Sequence, residues 1–275
     1  MKILIPTDFS ENAHRAARYA LALFGDSASY TLVNAYQVPH SGSTMLISIA
    51  DILKRDSEQL LKEVLIKLED EFPHLTDHFS IQAEMGQADI VLKKLVVNNG
   101  FDLVVMGTKG ATGLKSVLVG SVAANVIQHV PCAVLAIPDA TEPRSPQTIL
   151  FAADDHTLNR DSVPKALAYV ANRNDAKVLI LNVLKEGESA EAGNRTPVNN
   201  FGGIAHTYYF ENGNDIGKVI TDFAVDKDVD MMAMVRRKKD LFANLFGKSN
   251  TREMMQRTKL PLLVLPNDIS APMAH

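Results

Sequence analysis

The residues best suited to chemistry lie in one stretch. The apolar run Leu103–Met106 is followed by Gly107, Thr108, Lys109 and Gly110, then by nine residues, then by Gly120 and Ser121. This G-x2-G-x9-G-S spacing has the makings of a phosphate cradle. Glycine lets the backbone approach a phosphate with no Cβ in the way, and it tolerates positive φ. Gly120 and Ser121 open the apolar stretch Val122–Ile127, which reads as a helix, and the N–H groups at a helix start favour an anion. The Ser121 hydroxyl can cap that helix or donate to a phosphate oxygen. A tight loop and an ordinary helix start would leave the same glycines, so taken alone they argue only for phosphate.

Other constellations are weaker. Gly247–Ser249 resembles the end of a P-loop, but Phe242 stands where the motif needs glycine, and the motif should follow the first strand. The basic run Arg236–Lys239 has no aromatic residues interleaved for base stacking and reads as a solvated loop. Phe242 and Phe246 are spaced as a helix packing face. His74 and His78 would suit a metal only on a helix, and Pro73 argues for a loop there. Asp154, Asp155 and His156 form the later counterpart of the turn after the first strand. No Gly-x-Ser-x-Gly, no HExxH and no CxxC occurs. Nothing nominates a catalytic pair. The single cysteine, Cys132, lies in the apolar run Pro131–Ile137 and reads as a buried structural thiol.

The elements that must position the glycine loop occur twice. Ile3–Asp8 returns as Ile149–Asp154, Thr31–Tyr36 as Leu179–Leu184, and Glu84–Gly86 as Glu211–Gly213. Phe101–Met106 returns as Val229–Met234, and Val130–Pro138 as Leu260–Pro266. Landmarks in one order twice over mark a duplication. Residues 1–138 and 148–275 are the expected lobes, and the proline-bearing stretch 139–147 is the linker. Each lobe alternates short apolar strands with helices, which predicts a doubly wound, Rossmann-like α/β fold with a parallel sheet. Such folds take ligands at the carboxyl ends of their strands, beside the switch in strand order.

Local signals agree with this frame. Ser10 is a good N-cap for a helix over Glu11–Phe24, with Ala13, Ala16, Ala17, Ala20 and Leu21 on one stripe. A second amphipathic helix is predicted over Ile52–Leu68, with Leu53, Leu60, Leu61, Val64, Leu65 and Leu68 apolar. Its counterpart, residues 185–206, is rich in Gly, Asn and Ser and reads as a lost helix.

Bulk composition bounds the function class. The chain has 275 residues, 46% of them hydrophobic and 22% charged, with a net charge of −4, as expected of globular domains with a real core. That charge gives no general pull toward nucleic acid or membrane. No run approaches a membrane span and no leader is seen, so a cytoplasmic location is expected.

The glycine spacing after the fourth strand, combined with Pro6-Thr7-Asp8-Phe9-Ser10 at the end of the first, resembles the nucleotide-binding branch of the universal stress proteins. The resemblance extends over both lobes. It implies that Pro6, Thr7, Asp8 and Ala35 line the nucleoside side of a site. It further implies that Met106, Gly107, Lys109, Gly110, Gly120, Ser121 and Val122 line the phosphate side. The ligand implied is ATP or another adenine nucleotide, with any Mg2+ held through the phosphates. Ala123 departs from the hydroxyl residue often found there in the family. In the second lobe Val235, Lys238 and Lys248 replace the three glycines, while Asp154 and Ser249 persist, so no nucleotide is expected there.

The resemblance implies a stress-related regulatory binding protein with an unidentified protein partner. A slow ATP hydrolase or phosphotransferase, and a nucleotide-free scaffold, stand as alternatives. Pairing of Ala133–Ile137 with Leu262–Leu265 would make the two lobes a pseudo-dimer within one chain. Further association into a homodimer is left open.

Overall fold

The computed structural model describes residues 1–38, 46–109, 120–139, 141–153, 163–184, 201, 203–236 and 260–266. The chain divides into two compact units, the first covering Met1–Pro143 and the second beginning at Arg144.

In the first unit the strands are β1 (Lys2–Pro6), β2 (Ser29–Tyr36), β3 (Phe79–Met85), β4 (Leu103–Gly107) and β5 (Ala133–Ile137). The helices are α1 (Glu11–Phe24), α2 (Leu46–Glu71), α3 (Ala88–Asn99) and α4 (Ser121–His129). The strand order is β3-β2-β1-β4-β5, and every pairing is parallel. Ile3, Leu4, Ile5, Leu103, Val104, Val105 and Val134 to Ile137 are all fully buried, as strands covered on both faces require. Order reverses between β1 and β4, so the switch point lies at the end of the first strand.

Helix α1 begins where its sequence says it should. Ser10 is extended at the N-cap, and its hydroxyl accepts from the Ala13 N–H at 3.3 Å. Ala13, Ala16, Ala17, Ala20 and Leu21 are buried, and the helix packs on β4 and β5. Small side chains on that stripe let the helix lie close to the sheet. Helix α2 is longer than its periodicity predicts. Leu61 and Leu68 are buried, but Leu60 is 40% exposed, and Ser57 takes a core position with 4% exposure. A polar side chain there must be hydrogen-bonded, and its partner belongs to the site described below. His74 and His78 lie in a short 3-10 helix, Pro73–His78, rather than in a loop. The proline sits at its first turn, where a missing N–H costs nothing, and Nδ1 of His78 lies 2.9 Å from the Ala28 carbonyl oxygen. Cys132 is buried, as expected.

The second unit repeats the plan with β6 (Thr148–Ala152), α5 (Lys165–Arg173), β7 (Lys177–Leu184), β8 (His206–Asn212), α6 (Ile216–Asp226), β9 (Met231–Val235) and β10 (Leu262–Leu265). Its order is β10-β9-β6-β7-β8, again parallel. The duplication reaches single hydrogen bonds. The Thr7 N–H donates to the Val33 carbonyl at 2.8 Å, and the Ala153 N–H to the Leu181 carbonyl at 2.9 Å. Gly86 N–H bonds Tyr36 O and Gly213 N–H bonds Leu184 O, both at 2.9 Å. Gly86 has φ +143, and a Cβ on Gly213 would lie 2.4 Å from Val219 Cγ2. Handedness at one and close approach at the other account for the repeated glycine. The readings placed on 185–200, Asp154–His156, Arg237–Lys239, Phe242, Phe246 and Gly247–Ser249 lie outside the described residues. Among the described residues no helix is long and apolar enough to cross a membrane.

Candidate functional site

A cleft of about 510 Å³ opens in the first unit at the carboxyl ends of β1, β2 and β4, beside the switch point. Its size is that of an ordinary small-molecule site. Three strand ends and the start of one helix supply most of its lining. The end of β1 contributes Pro6, Thr7 and Asp8, and the end of β2 contributes Val33, Asn34, Ala35 and Gln37. The end of β4 contributes Met106, Gly107, Thr108 and Lys109, and the start of α4 contributes Gly120, Ser121, Val122, Ala123 and Asn125. Every site residue named from the sequence therefore lines this one cleft, except Gly110, which lies outside the described residues.

The turn after β1 is held by its own side chains. The Phe9 N–H donates to Thr7 Oγ1 at 3.0 Å. Asp8 Oδ1 accepts from the Ser10 N–H at 3.1 Å and from the Ser10 hydroxyl at 2.6 Å. These bonds hold Phe9 at φ 65, a conformation uncommon for a side chain of its size. Asp8 thus has a local structural duty as well as a place on the cleft wall.

At the other end, α4 points its N-terminus into the cleft. The N-cap is Gly120, so the Ser121 hydroxyl is not in the capping position and is exposed. The first intrahelical bond runs from the Ala124 N–H to the Gly120 carbonyl at 3.0 Å, and the Gly120 N–H is taken by Thr108 O at 2.7 Å. The N–H groups of the turn between them are those a helix leaves without an intrahelical partner. Ser121, Val122 and Ala123, which carry them, all line the cleft.

Neither Gly107 nor Gly120 is needed for handedness. Gly120 has φ −64, and Gly107 is not among the positive-φ glycines. A Cβ on Gly107 would meet Asn12, the second residue of α1, whose Nδ2 donates to the Lys109 carbonyl at 2.8 Å. Gly107 is therefore needed where α1 crosses the end of β4. Lys109 lines the cleft, but its ammonium is 3.2 Å from Asp139 Oδ2. Arg15 holds the other oxygen of the same carboxylate at 3.1 Å.

Sequence reasoning missed the floor and the far wall. Asn34 is 9% exposed, and its Nδ2 donates to the Thr7 carbonyl at 2.8 Å. Its Oδ1 accepts from the Ser57 hydroxyl at 2.8 Å, which explains the buried serine of α2. The repeat held a signal for it, because Asn182 stands at the same place in β7 and donates to Ala153 O at 3.3 Å. Across the cleft, Gln87, Ala88, Asp89 and Leu92 of the α3 region close the wall, and Asn125 Nδ2 donates to Asp89 Oδ2 at 3.2 Å. In the second unit Val235, the counterpart of Gly107, ends β9 and is 5% exposed.

The sequence model of the Universal stress protein family matches residues 1–138. Universal stress protein MJ0531 of Methanocaldococcus jannaschii is 34% identical over 143 residues, covering 50% of this chain and 81% of that protein. Universal stress protein MJ0577 of the same organism is 30% identical over 164 residues, covering 50% of this chain and 93% of its own. A solved universal stress protein from Archaeoglobus fulgidus superposes over 96% of both chains with a TM-score of 0.69 at 18% identity, which is a likeness of fold.

Proposed function

The chain belongs to the universal stress protein family, and on that premise we propose that its first unit is a regulatory module binding ATP or a related adenine nucleotide. The observation that carries the reading is the meeting of two chemistries in one cleft. The first turn of α4 supplies main-chain N–H donors for phosphate oxygens. At the other end, Val33, Ala35 and Leu92 offer an apolar wall for a planar base, with Asp8 and Asn34 as polar groups beside it. The cleft's volume is that of a site for a ligand of nucleotide size.

Within this reading Met106, Gly107, Lys109, Gly110, Gly120, Ser121 and Val122 serve the phosphates, and Pro6, Thr7, Asp8 and Ala35 serve the nucleoside. Magnesium would be held through the phosphates. Val235 at the Gly107 position, with Lys238 and Lys248 at the other two, leaves one nucleotide per chain. Occupancy would then act on a protein partner rather than drive fast turnover.

Val122→Glu tests the reading without confounding it by misfolding. Val122 is 46% exposed in the first turn of α4, where a carboxylate favours the helix dipole but repels phosphate. Calorimetric titration with Mg-ATP should give one site per chain in the wild type and none in the variant, whose melting temperature should be unchanged or raised. Absence of heat in the wild type at millimolar ATP would leave the cleft without this ligand. Two sites per chain would overturn the assignment to the first unit alone.

A further inference from the structure

The carboxylate of Asp139 sits between two cations. Oδ2 is 3.2 Å from the Lys109 ammonium, and Oδ1 is 3.1 Å from a guanidinium nitrogen of Arg15. Lys109 is the cleft's own lysine, placed by the end of β4, and its carbonyl is fixed by Asn12. Asp139 lies just past β5, in the stretch that leads away from the first unit. A carboxylate with a cation on each oxygen resembles a phosphate in the same position, since both present oxygens of negative charge at similar spacing. The carboxylate of Asp139 is half-exposed, at 48% against 22% for Lys109, so it can yield the ammonium to another anion and turn to water at little cost.

We propose that Asp139 is a specificity residue that competes with the outer phosphates of the bound nucleotide for Lys109. This rests on the nucleotide reading of the cleft. A single phosphate at the start of α4 leaves the Lys109–Asp139 pair intact. A longer polyphosphate extends past Gly107 and must take Lys109 from Asp139, with a negative carboxylate left beside it. Asp139 thus reduces the gain from each added phosphate and narrows the difference in affinity between mono- and triphosphate.

The test titrates AMP and ATP, each with magnesium, into the full-length wild type and Asp139→Asn. The variant should bind ATP about three- to five-fold more tightly, the scale of one exposed ion pair, with AMP affinity unchanged. The tightening should vanish when Asp139→Asn is made in a Lys109→Met background. A general loosening of the fold would move both nucleotides together and would not depend on Lys109. Equal change for AMP and ATP, no change for either, or tightening that survives Lys109→Met overturns the proposal while leaving the binding reading intact. A wild type that binds neither nucleotide removes both.

Discussion

A Cβ placed on Gly107 would lie 2.5 Å from Nδ2 and 3.0 Å from the main-chain oxygen of Asn12. Contacts that short cannot be absorbed by a side-chain shift alone, because one of the atoms is backbone. The glycine that looks most like a ligand residue therefore has a packing duty of its own. Gly107→Val should lower the stability of the nucleotide-free protein by about 1–3 kcal/mol, the usual cost of overpacking. Urea denaturation reads this directly, and an unchanged midpoint would show that α1 does not press on the end of β4. Loss of nucleotide in this variant would say little about the ligand, which is why Val122 is the better position.

The buried chain from Ser57 through Asn34 to the Thr7 carbonyl makes a second prediction. Ser57→Ala removes the donor to Asn34 Oδ1 in a place that water does not reach. An unsatisfied buried acceptor costs about 1–3 kcal/mol. In an Asn34→Ala background the same substitution should cost much less, since the acceptor that Ser57 served is already gone. Equal costs in the two backgrounds, measured by denaturation, would mean that the hydroxyl and the amide are not coupled.

Asp8 combines two roles that one pair of variants can separate. Its Oδ1 accepts both bonds from Ser10, and an asparagine carbonyl could do the same without the charge. Asp8→Asn should melt close to the wild type. Asp8→Ala should be less stable by about 0.5–1.5 kcal/mol, the net worth of a typical hydrogen bond. Nucleotide affinity lost in both variants would assign the charge to the ligand. Affinity kept in Asp8→Asn and lost only in Asp8→Ala would assign the turn.

Much of this was legible because the chemistry is local or repeated. Ser10 announced α1, and the alanine stripe announced its close packing. The duplicated landmarks fixed both sheets, since each copy vouches for the other. The walls of the cleft were legible less evenly. Pro6 to Asp8 and the glycine spacing are contiguous in sequence, whereas Ser57 meets Asn34 across 23 residues and Asn125 meets Asp89 across 36. No period or motif encodes those pairings. Leu60 is apolar yet 40% exposed beside a fully buried Leu61, because an apolar stripe does not say which of its edges faces the sheet. Lys109 reads as a phosphate ligand from its motif, and only the structure brings Asp139 to it.

The repeat also gives a prediction outside the cleft. Asp102 and Asp230 are equivalent residues, each just before the fourth strand of its unit, and each ties down the start of the unit's first strand. Asp102 Oδ2 accepts from the Lys2 N–H at 2.8 Å. Asp230 Oδ2 accepts from the N–H groups of Gln147 and Thr148 at 2.8 and 3.0 Å, and its Oδ1 pairs with Arg144 at 3.0 Å. Two charge-assisted main-chain bonds on one side chain that is 16% exposed make Asp230 the more consequential of the two. Asp230→Ala should cost the second unit about 2–4 kcal/mol, and Arg144→Ala much less, because Arg144 is 59% exposed. Hydrogen exchange read by mass spectrometry should show the loss as faster exchange in β6 and β9, with β1 and β4 still protected. Exchange that quickens equally in both units would mean that they unfold as one cooperative body and that Asp230 does not act locally.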